Sequence, residues 1–339
     1  MEQLLESIIK ETVSKYPAVN SKAKAALEFM ESYSKAPASD YRNQVLGVVT
    51  AALESGNNKL SHQTVIIIHK IGKDDRFHST ELEEDQSMWL SQQVMSSVSS
   101  SLVTVSADLQ TDYLQALLTL SYHHCWIVSG QICVEVVTMC QEILTAASSA
   151  TTRTAAQNVA ANNLSCLARW LCKNDTERGV EDVIPVLQFL CTNIEECFSS
   201  SSDKSNKKSR QEKEMLLCCL DTTVKALSTK VTQSTNFCTF LWRSLCPSLI
   251  KLLVRGSGHS VVCSLTSLIG HMESHRPVLE ATFHKMLVQT PPEKRVDALK
   301  AVSKLLAEPE GLLHLTWLHE SEENEEKFNT WNDMAILIM

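Results

Sequence analysis

The sequence predicts an all-α protein made of stacked antiparallel helix pairs, and three features of its 339 residues support this. Apolar residues recur at helical spacing along most of the chain. Glycine and proline are scarce, with 9 and 8 residues, as expected for long helices and short loops. The helical stretches average about 15 residues and recur in pairs about every 35–45 residues. That period is typical of HEAT and armadillo repeats, so we predict a HEAT/armadillo-like α-solenoid.

The first three helices are predicted from their apolar stripes and end signals. Residues 2–15 form an amphipathic helix, and Pro17 begins a second one. Pro37 ends the second helix, and Ser39 or Asp40 can cap the third.

The stretch 51–77 contains the hairpin around which we expect the chain to be organised. Gly56 can adopt the positive φ that ends a helix, and Asn57 or Asn58 can cap the helix that follows over residues 59–71. The β-branched run 65–68 by itself favours a strand. Its helix-like flanks favour a helix, and an apolar run of this kind predicts a helix buried on all sides.

The rest of the first half continues the same pattern. A charged loop is predicted over 73–86, and Gly179 with Asp182 should separate the last two helices of this half. The predicted helices cover residues 88–105, 107–120, 132–144, 151–172 and 183–198.

The second half is predicted to hold five more helical stretches. Pro247 should kink its helix or begin a new one. Thr290, followed by two prolines and Glu293, is a typical helix start. These stretches cover residues 215–227, 237–252, 261–271, 278–288 and 293–306.

Changes in composition divide the chain into four parts. Helical repeats are predicted over 1–198 and again over 211–318. Between them, residues 199–210 are rich in serine and basic residues, which predicts a mobile linker and a candidate phosphorylation site, or simply a solvated loop. Residues 319–339 begin with a glutamate-rich run, which predicts an acidic disordered tail.

Composition and charge exclude several classes of protein. The net charge is −8 and the pI is near 5.8, whereas nucleic-acid binding requires a basic surface. The 12 cysteines include no CxxC pair and lie on apolar helix faces, which predicts a reduced, cytosolic protein. Charged residues interrupt the first turns, which argues against a signal peptide. We also expect no stretch with the roughly 18 apolar residues that a membrane span needs.

One group of residues has the spacing of a metal site. His271 and His275 are four residues apart, and Cys263 lies two turns upstream. The glutamate of an HExxH motif is missing, and Arg276 with Pro277 should end the helix there, so we expect no metal.

Other chemistry is equally unsupported. His123, His124 and Cys125 are adjacent and are expected to lie in a turn or at a helix C-terminus. Phosphate-binding glycine loops and nucleophile motifs are missing, so we expect neither a cofactor nor catalysis.

Several motifs resemble a known family. Residues 52–60 (ALESGNNKL), Lys70, residues 75–77 (DRF) and residues 154–157 (TAAQ) resemble the dimerisation and cyclophilin-binding domain of large Arf guanine nucleotide-exchange factors. Residues 240–250 (FLWRSLCPSLI) and two stretches between 277 and 300 (PVL and PPEKRVDALK) are similar to the brefeldin A-inhibited branch of that family. The resemblance covers residues 1–310.

The resemblance implies an armadillo-like solenoid that mediates self-association and intramolecular contacts. In this family it helps to place an exchange factor on Golgi, endosomal or secretory-granule membranes. Exchange itself belongs to a Sec7 domain, whose glutamate motif is missing here. The chain is therefore expected to be a non-catalytic regulatory scaffold, and an N-terminal fragment, a short isoform or an incomplete gene model.

The expected partners are a second copy of the chain or a downstream region of the same protein, and Arf or Arf-like GTPases. The protein should be cytoplasmic and should reach membranes only through these partners. The candidate contact residues are Asn57, Asn58, Lys59, Arg76 and Phe77. The alternative is a stand-alone HEAT-type adaptor unrelated to Arf GTPases.

Overall fold

The computed structural model describes residues 1–32, 37–77, 85–173, 176–199 and 207–308. Within these ranges the regular structure is entirely helical, which confirms the predicted fold class. The acidic tail lies outside the described residues, and so does most of the predicted linker.

The described helices are numbered here in chain order. Short 3₁₀ turns at Asp75–Phe77, Gln86–Met88, Val231–Gln233, Glu273–His275 and Pro292–Lys294 lie between some of them. The helices are α1 Glu2–Thr12, α2 Pro17–Ser32, α3 Ala38–Glu54, α4 Asn58–Ile71, α5 Leu90–Leu102, α6 Ala107–Ser121, α7 Gly130–Ala146, α8 Ala150–Lys173, α9 Thr176–Ser199, α10 Lys207–Ala226, α11 Thr235–Val254, α12 His259–Ile269, α13 Arg276–His284 and α14 Arg295–Leu306.

The helices form two rows. From α3 onward, each helix packs against the helix two places further along the chain. From α3 to α14, the odd-numbered helices therefore make one row and the even-numbered helices the other, whereas α2 packs on α3 of the odd row. Hairpin contacts such as α3 with α4, α7 with α8 and α9 with α10 join the two rows. Helix α1 packs on α2 and also contacts α4. This arrangement is that of an α-solenoid.

The core is one continuous apolar cluster that runs between the rows. Its largest fully buried side chains include Tyr41, Phe77, Tyr113, Phe237 and Phe283. The Tyr113 hydroxyl lies 2.5 Å from the Thr64 hydroxyl, so its polar end is satisfied inside the core. Because each helix buries its apolar stripe only against its neighbours, the stack as a whole creates the core.

The β-branched run in the hairpin is helical, as the flanking sequence predicts. Ile67 and Ile68 are fully buried, but Ile66 is 46% exposed. The expectation of a helix buried on all sides was therefore wrong, because the even row leaves one face of α4 towards solvent.

Helix α9 begins earlier than predicted. It runs from Thr176 through Gly179 and Asp182, which we expected to separate two helices. It also contains Pro185, which lies in its third turn. Contacts with α7 and α10 stabilise the helix here, and these outweigh local propensity. At its other end, the predicted linker over 199–210 is partly helical, since Ser199 belongs to α9 and residues 207–210 belong to α10.

Helix α11 continues through Pro247. Residues Leu241–Leu245 form a π-helical turn just before the proline. A proline ring clashes with the carbonyl four residues earlier, and the wider π turn accommodates it without breaking the helix.

Helix α11 also corrects our expectation about apolar stretches. By length and composition alone, Thr235–Val254 is long and apolar enough to cross a membrane. Half of its most apolar 18-residue stretch is buried inside the fold, and the core helices of soluble proteins have the same length and composition. Its buried side chains include Phe237, Leu241 and Leu249, which pack between the rows.

Three helix ends near the C-terminus also differ from prediction. Helix α12 ends at Ile269, so His271 and His275 do not share a helix face. Arg276 begins α13 rather than ending a helix, with Pro277 in its first turn, where a proline is tolerated. The predicted start after Thr290 is a 3₁₀ turn, and α14 begins at Arg295 without a side-chain cap.

Candidate protein-contact site

The turn between α3 and α4 is built by three adjacent residues. The Ser55 hydroxyl donates to the Ala52 carbonyl at 2.6 Å, and Gly56 has φ +65°. A Cβ on Gly56 would meet no atom within 4 Å, so only the backbone conformation favours glycine here. The Asn57 side chain accepts from the Leu60 backbone N–H at 3.1 Å and caps α4. The predicted cap is therefore confirmed for Asn57, whereas Asn58 is the first residue of the helix.

Asn57 also ties the hairpin to the beginning of the chain. Its side-chain amide donates to the Tyr16 hydroxyl at 2.5 Å, at the junction of α1 and α2. Asn57 is half-buried as a result, whereas Asn58 and Lys59 are exposed. Of these three candidate residues, Asn57 has a structural role and the other two face solvent.

Helix α1 lies along α4 and forms an ion pair near each of its ends. Lys59 lies 3.3 Å from Glu11, and Arg76 lies 3.6 Å from Glu2. These pairs are exposed, so each stabilises the fold by less than about 1 kcal/mol. The 14 residues of α4 separate Lys59 and Arg76 by about 20 Å. The candidate residues thus form two groups, with α1 between them.

The second group is anchored by Arg76. Its guanidinium binds Asp74 at 2.6 Å and lies over the Tyr41 ring, 5.9 Å from the centroid. The hydrogen bond from Arg76 lowers the pKa of the Asp74 carboxyl, against the opposing effect of burial. Arg76 is therefore exposed at its charged end but held in place by its neighbours.

Phe77 was predicted to be a contact residue, and this prediction was wrong because its side chain is fully buried. Its ring lies 4.5 Å from the Tyr41 ring, and its carbonyl accepts from Arg42 at 3.3 Å. A partner cannot contact this side chain in the folded chain. Phe77 instead supports the surface that carries Arg76.

The sequence did not indicate the residues that complete this surface. Glu2, Glu11, Tyr16 and Asp74 all contact the candidate residues, yet none stands at a distinctive spacing. The packing of α1 against α4 brings Glu2 and Glu11 there, whereas Asp74 is close to Arg76 in the sequence. An amphipathic α1 with acidic residues on its polar face was the available signal.

The residues weighed as metal ligands are dispersed. His275 lies 3.4 Å from Cys238, and Cys263 belongs to a different part of the surface, between α10, α12 and α14. Among the described residues, no three His, Cys, Asp or Glu side chains are placed to hold a metal ion. His123 lies in a turn, as expected, with Nδ1 3.0 Å from Cys125 Sγ.

Comparison with known proteins gives consistent matches. Residues 1–161 match the family described as the Mon2/Sec7/BIG1-like dimerisation and cyclophilin-binding domain. The chain is 23% identical over 401 aligned residues to human brefeldin A-inhibited guanine nucleotide-exchange protein 3, covering 96% of this chain. The mouse protein of the same name is 23% identical over 389 aligned residues, covering 93% of this chain.

The chain spans 18% of the length of each of these relatives. The matched domain contains α1 to α7 and the first half of α8, and therefore all of the candidate contact residues. Both comparisons agree with the resemblance found in the sequence motifs. Residues 1–161 thus match the Mon2/Sec7/BIG1-like dimerisation and cyclophilin-binding domain, and the chain is similar along nearly its whole length to brefeldin A-inhibited guanine nucleotide-exchange protein 3.

Proposed function

We propose that this chain is a non-catalytic scaffold that self-associates through its N-terminal helices. The observation that carries the proposal is the match of residues 1–161 to a family of dimerisation domains. The two-row solenoid supports it, since stacked helix pairs offer an extended surface for partners. The similarity to a guanine nucleotide-exchange protein supports a regulatory role beside an Arf exchange factor-like protein, in Golgi, endosomal or secretory-granule traffic.

The contact surface in this proposal is α1 together with both ends of α4. Asn58, Lys59 and Arg76 are exposed there, and Val13 at the end of α1 is 70% exposed. Arginine held over an aromatic ring is already ordered, so it loses little conformational entropy when a partner binds. Charged residues of both signs on α1 and α4 could pair across a two-fold interface, since each copy presents the same patch.

Light scattering on size-separated protein tests this surface. Lys59→Ala combined with Arg76→Ala should reduce the dimer fraction, because it removes two exposed cations from the interface. Lys251→Ala is the matched control, since Lys251 also forms an exposed ion pair, 2.9 Å from Glu195, on distant α11. An unchanged dimer fraction in the double variant, or an equal loss in the control, would exclude this surface.

We also propose Arf or Arf-like GTPases as partners, with membrane attachment arising only through such contacts. Capture of GTPases loaded with GTP or GDP separates this proposal from the stand-alone adaptor. Nucleotide-dependent capture supports a role beside Arf. Equal or absent capture of both forms favours the adaptor, whose partners would then be sought elsewhere.

A further inference from the structure

A groove opens at the C-terminal end of the even row. It has a volume of about 370 Å³ and lies between the end of α10, the face of α12 and the last turns of α14. Its lining combines apolar side chains, including Leu227, Cys263, Leu268 and Leu305, with serine, threonine, lysine and glutamate side chains. Helix α12 packs against both α10 and α14, and the groove lies where these three helices meet. The end of a stack exposes apolar surface that requires a cap.

The chain leaves its described part at this groove. Glu308, the last described residue, is itself in the groove lining. Pro309 and Gly311 follow, a proline that cannot continue the helix and a glycine that suits a reversal of direction. The three residues 309–311 can span about 10 Å. Residues from 312 onward can therefore reach the groove without a long connection.

The next segment has the composition that such a groove would bind. Five of the seven residues 312–318 are large and apolar: Leu312, Leu313, Leu315, Trp317 and Leu318. Burying one such side chain stabilises a fold by about 1.5–3 kcal/mol. Lys304 lies at the rim of the groove, and the segment is followed by a glutamate-rich run beginning at Glu320. Two lysines and one glutamate line the groove, so its charge favours an acidic run, and its leucines favour the apolar part of the segment.

We propose that residues 312–318 of the same chain fold back into the groove between α10, α12 and α14 and cap the solenoid. The apolar side chains occupy the groove, and the acidic residues that follow approach Lys304. This contact would hold the beginning of the acidic tail against the end of the stack. The proposal is independent of the self-association surface, which lies at the other end of the chain.

Cys263 provides a direct probe of occupancy, because it lines the groove and is half-buried there. The full chain carrying Leu312→Ser, Leu315→Ser and Trp317→Ser is compared with the unaltered chain. N-ethylmaleimide labelling is followed by mass spectrometry of each cysteine peptide. Labelling of Cys263 should be faster by at least about five-fold in the variant. An unchanged rate would overturn the proposal.

Controls separate occupancy from other causes. Ile336→Ser, Leu337→Ser and Ile338→Ser change another apolar run near the terminus and should leave the Cys263 rate unchanged. Cys140 is fully buried, so its labelling would indicate unfolding. Cys218 is exposed, so its labelling shows that the reagent is active. Protection of Cys263 that increases with protein concentration would assign the groove to a second copy and overturn the proposal.

A cysteine variant tests the contact while the apolar side chains of the segment stay in place. Thr316→Cys places a thiol within the segment, and mild oxidation should join it to Cys263 in a disulfide within one chain. Thr330→Cys, outside the segment, should not form that bond. If both variants cross-link to Cys263 equally, or neither does, the segment does not occupy the groove.

Discussion

At the residue scale, two glycines in helices differ in the space that surrounds them. Gly130 begins α7, and a Cβ there would lie 2.1 Å from the Asp182 backbone carbonyl oxygen of α9. Gly47 lies inside α3, where a Cβ would meet only the Lys22 side chain, at 3.6 Å. The first glycine permits a close approach of two helices of the odd row, and the second does not.

We therefore predict opposite effects of alanine at these positions. Gly130→Ala should lower the free energy of unfolding by about 1–3 kcal/mol, because backbone must move. Gly47→Ala should raise it by about 0.5–1 kcal/mol, because alanine favours the helix. Urea denaturation followed by circular dichroism measures both. A Gly130→Ala variant as stable as the unaltered chain would mean that α7 and α9 do not approach this closely.

Two buried histidines predict how stability depends on pH. Burial lowers the pKa of His259, with Lys294 adding to the effect and Asp297 opposing it. Burial also lowers the pKa of His275, and nearby His271 adds to this. Below the ordinary histidine pKa of about 6.5, the unfolded chain binds protons that the folded chain does not. Their contribution to stability is complete above that pH and is lost as the pH falls.

The free energy of unfolding should therefore decrease between pH 7 and about pH 5.5. Replacing both residues, His259→Gln with His275→Gln, should make the decrease shallower. Unfolding in urea at a series of pH values gives the slopes. Identical slopes for the two proteins would show that these histidines protonate equally in both states.

At the scale of the element, the hairpin separates a capping residue from a surface residue. Asn57→Ala removes the hydrogen bond to the Leu60 N–H and should lower the free energy of unfolding by about 1 kcal/mol. Asn58→Ala is the matched control, since Asn58 is exposed and makes no cap; its effect should stay within about 0.5 kcal/mol. Equal effects in denaturation would contradict the assigned cap.

The helices themselves could largely be predicted from the sequence, because apolar spacing and caps are local signals. The start at Pro17 and the turn at Gly56 are examples. The sequence failed where tertiary contacts outweigh local preference. Helix α9 continues through Gly179 because it is packed against α7 and α10, and α11 passes Pro247 by means of a π turn.

The candidate site was predicted in part. The sequence indicated the hairpin and the cap at Asn57, and it indicated Lys59 and Arg76 as exposed charges. It could not show that Phe77 is buried against Tyr41, or that α1 lies between the two groups of candidate residues. Both facts depend on which helices pack against each other. The sequence has the period of a helical repeat but no repeat consensus, so it does not determine these pairs.

On the scale of the whole molecule, the described helices form one stack in which contacts are mostly between near neighbours. Such stacks present a long surface and can lose structure at their ends first. The self-association surface that we propose at α1 and α4 and the groove beside α14 lie at opposite ends of this stack.

The most direct test of self-association is sedimentation equilibrium of the full chain from about 1 to about 100 μM. We predict a weight-average mass that rises from the chain's 37.8 kDa towards twice that value as concentration increases. A mass that stays at 37.8 kDa across the whole range would contradict the proposed dimerisation scaffold.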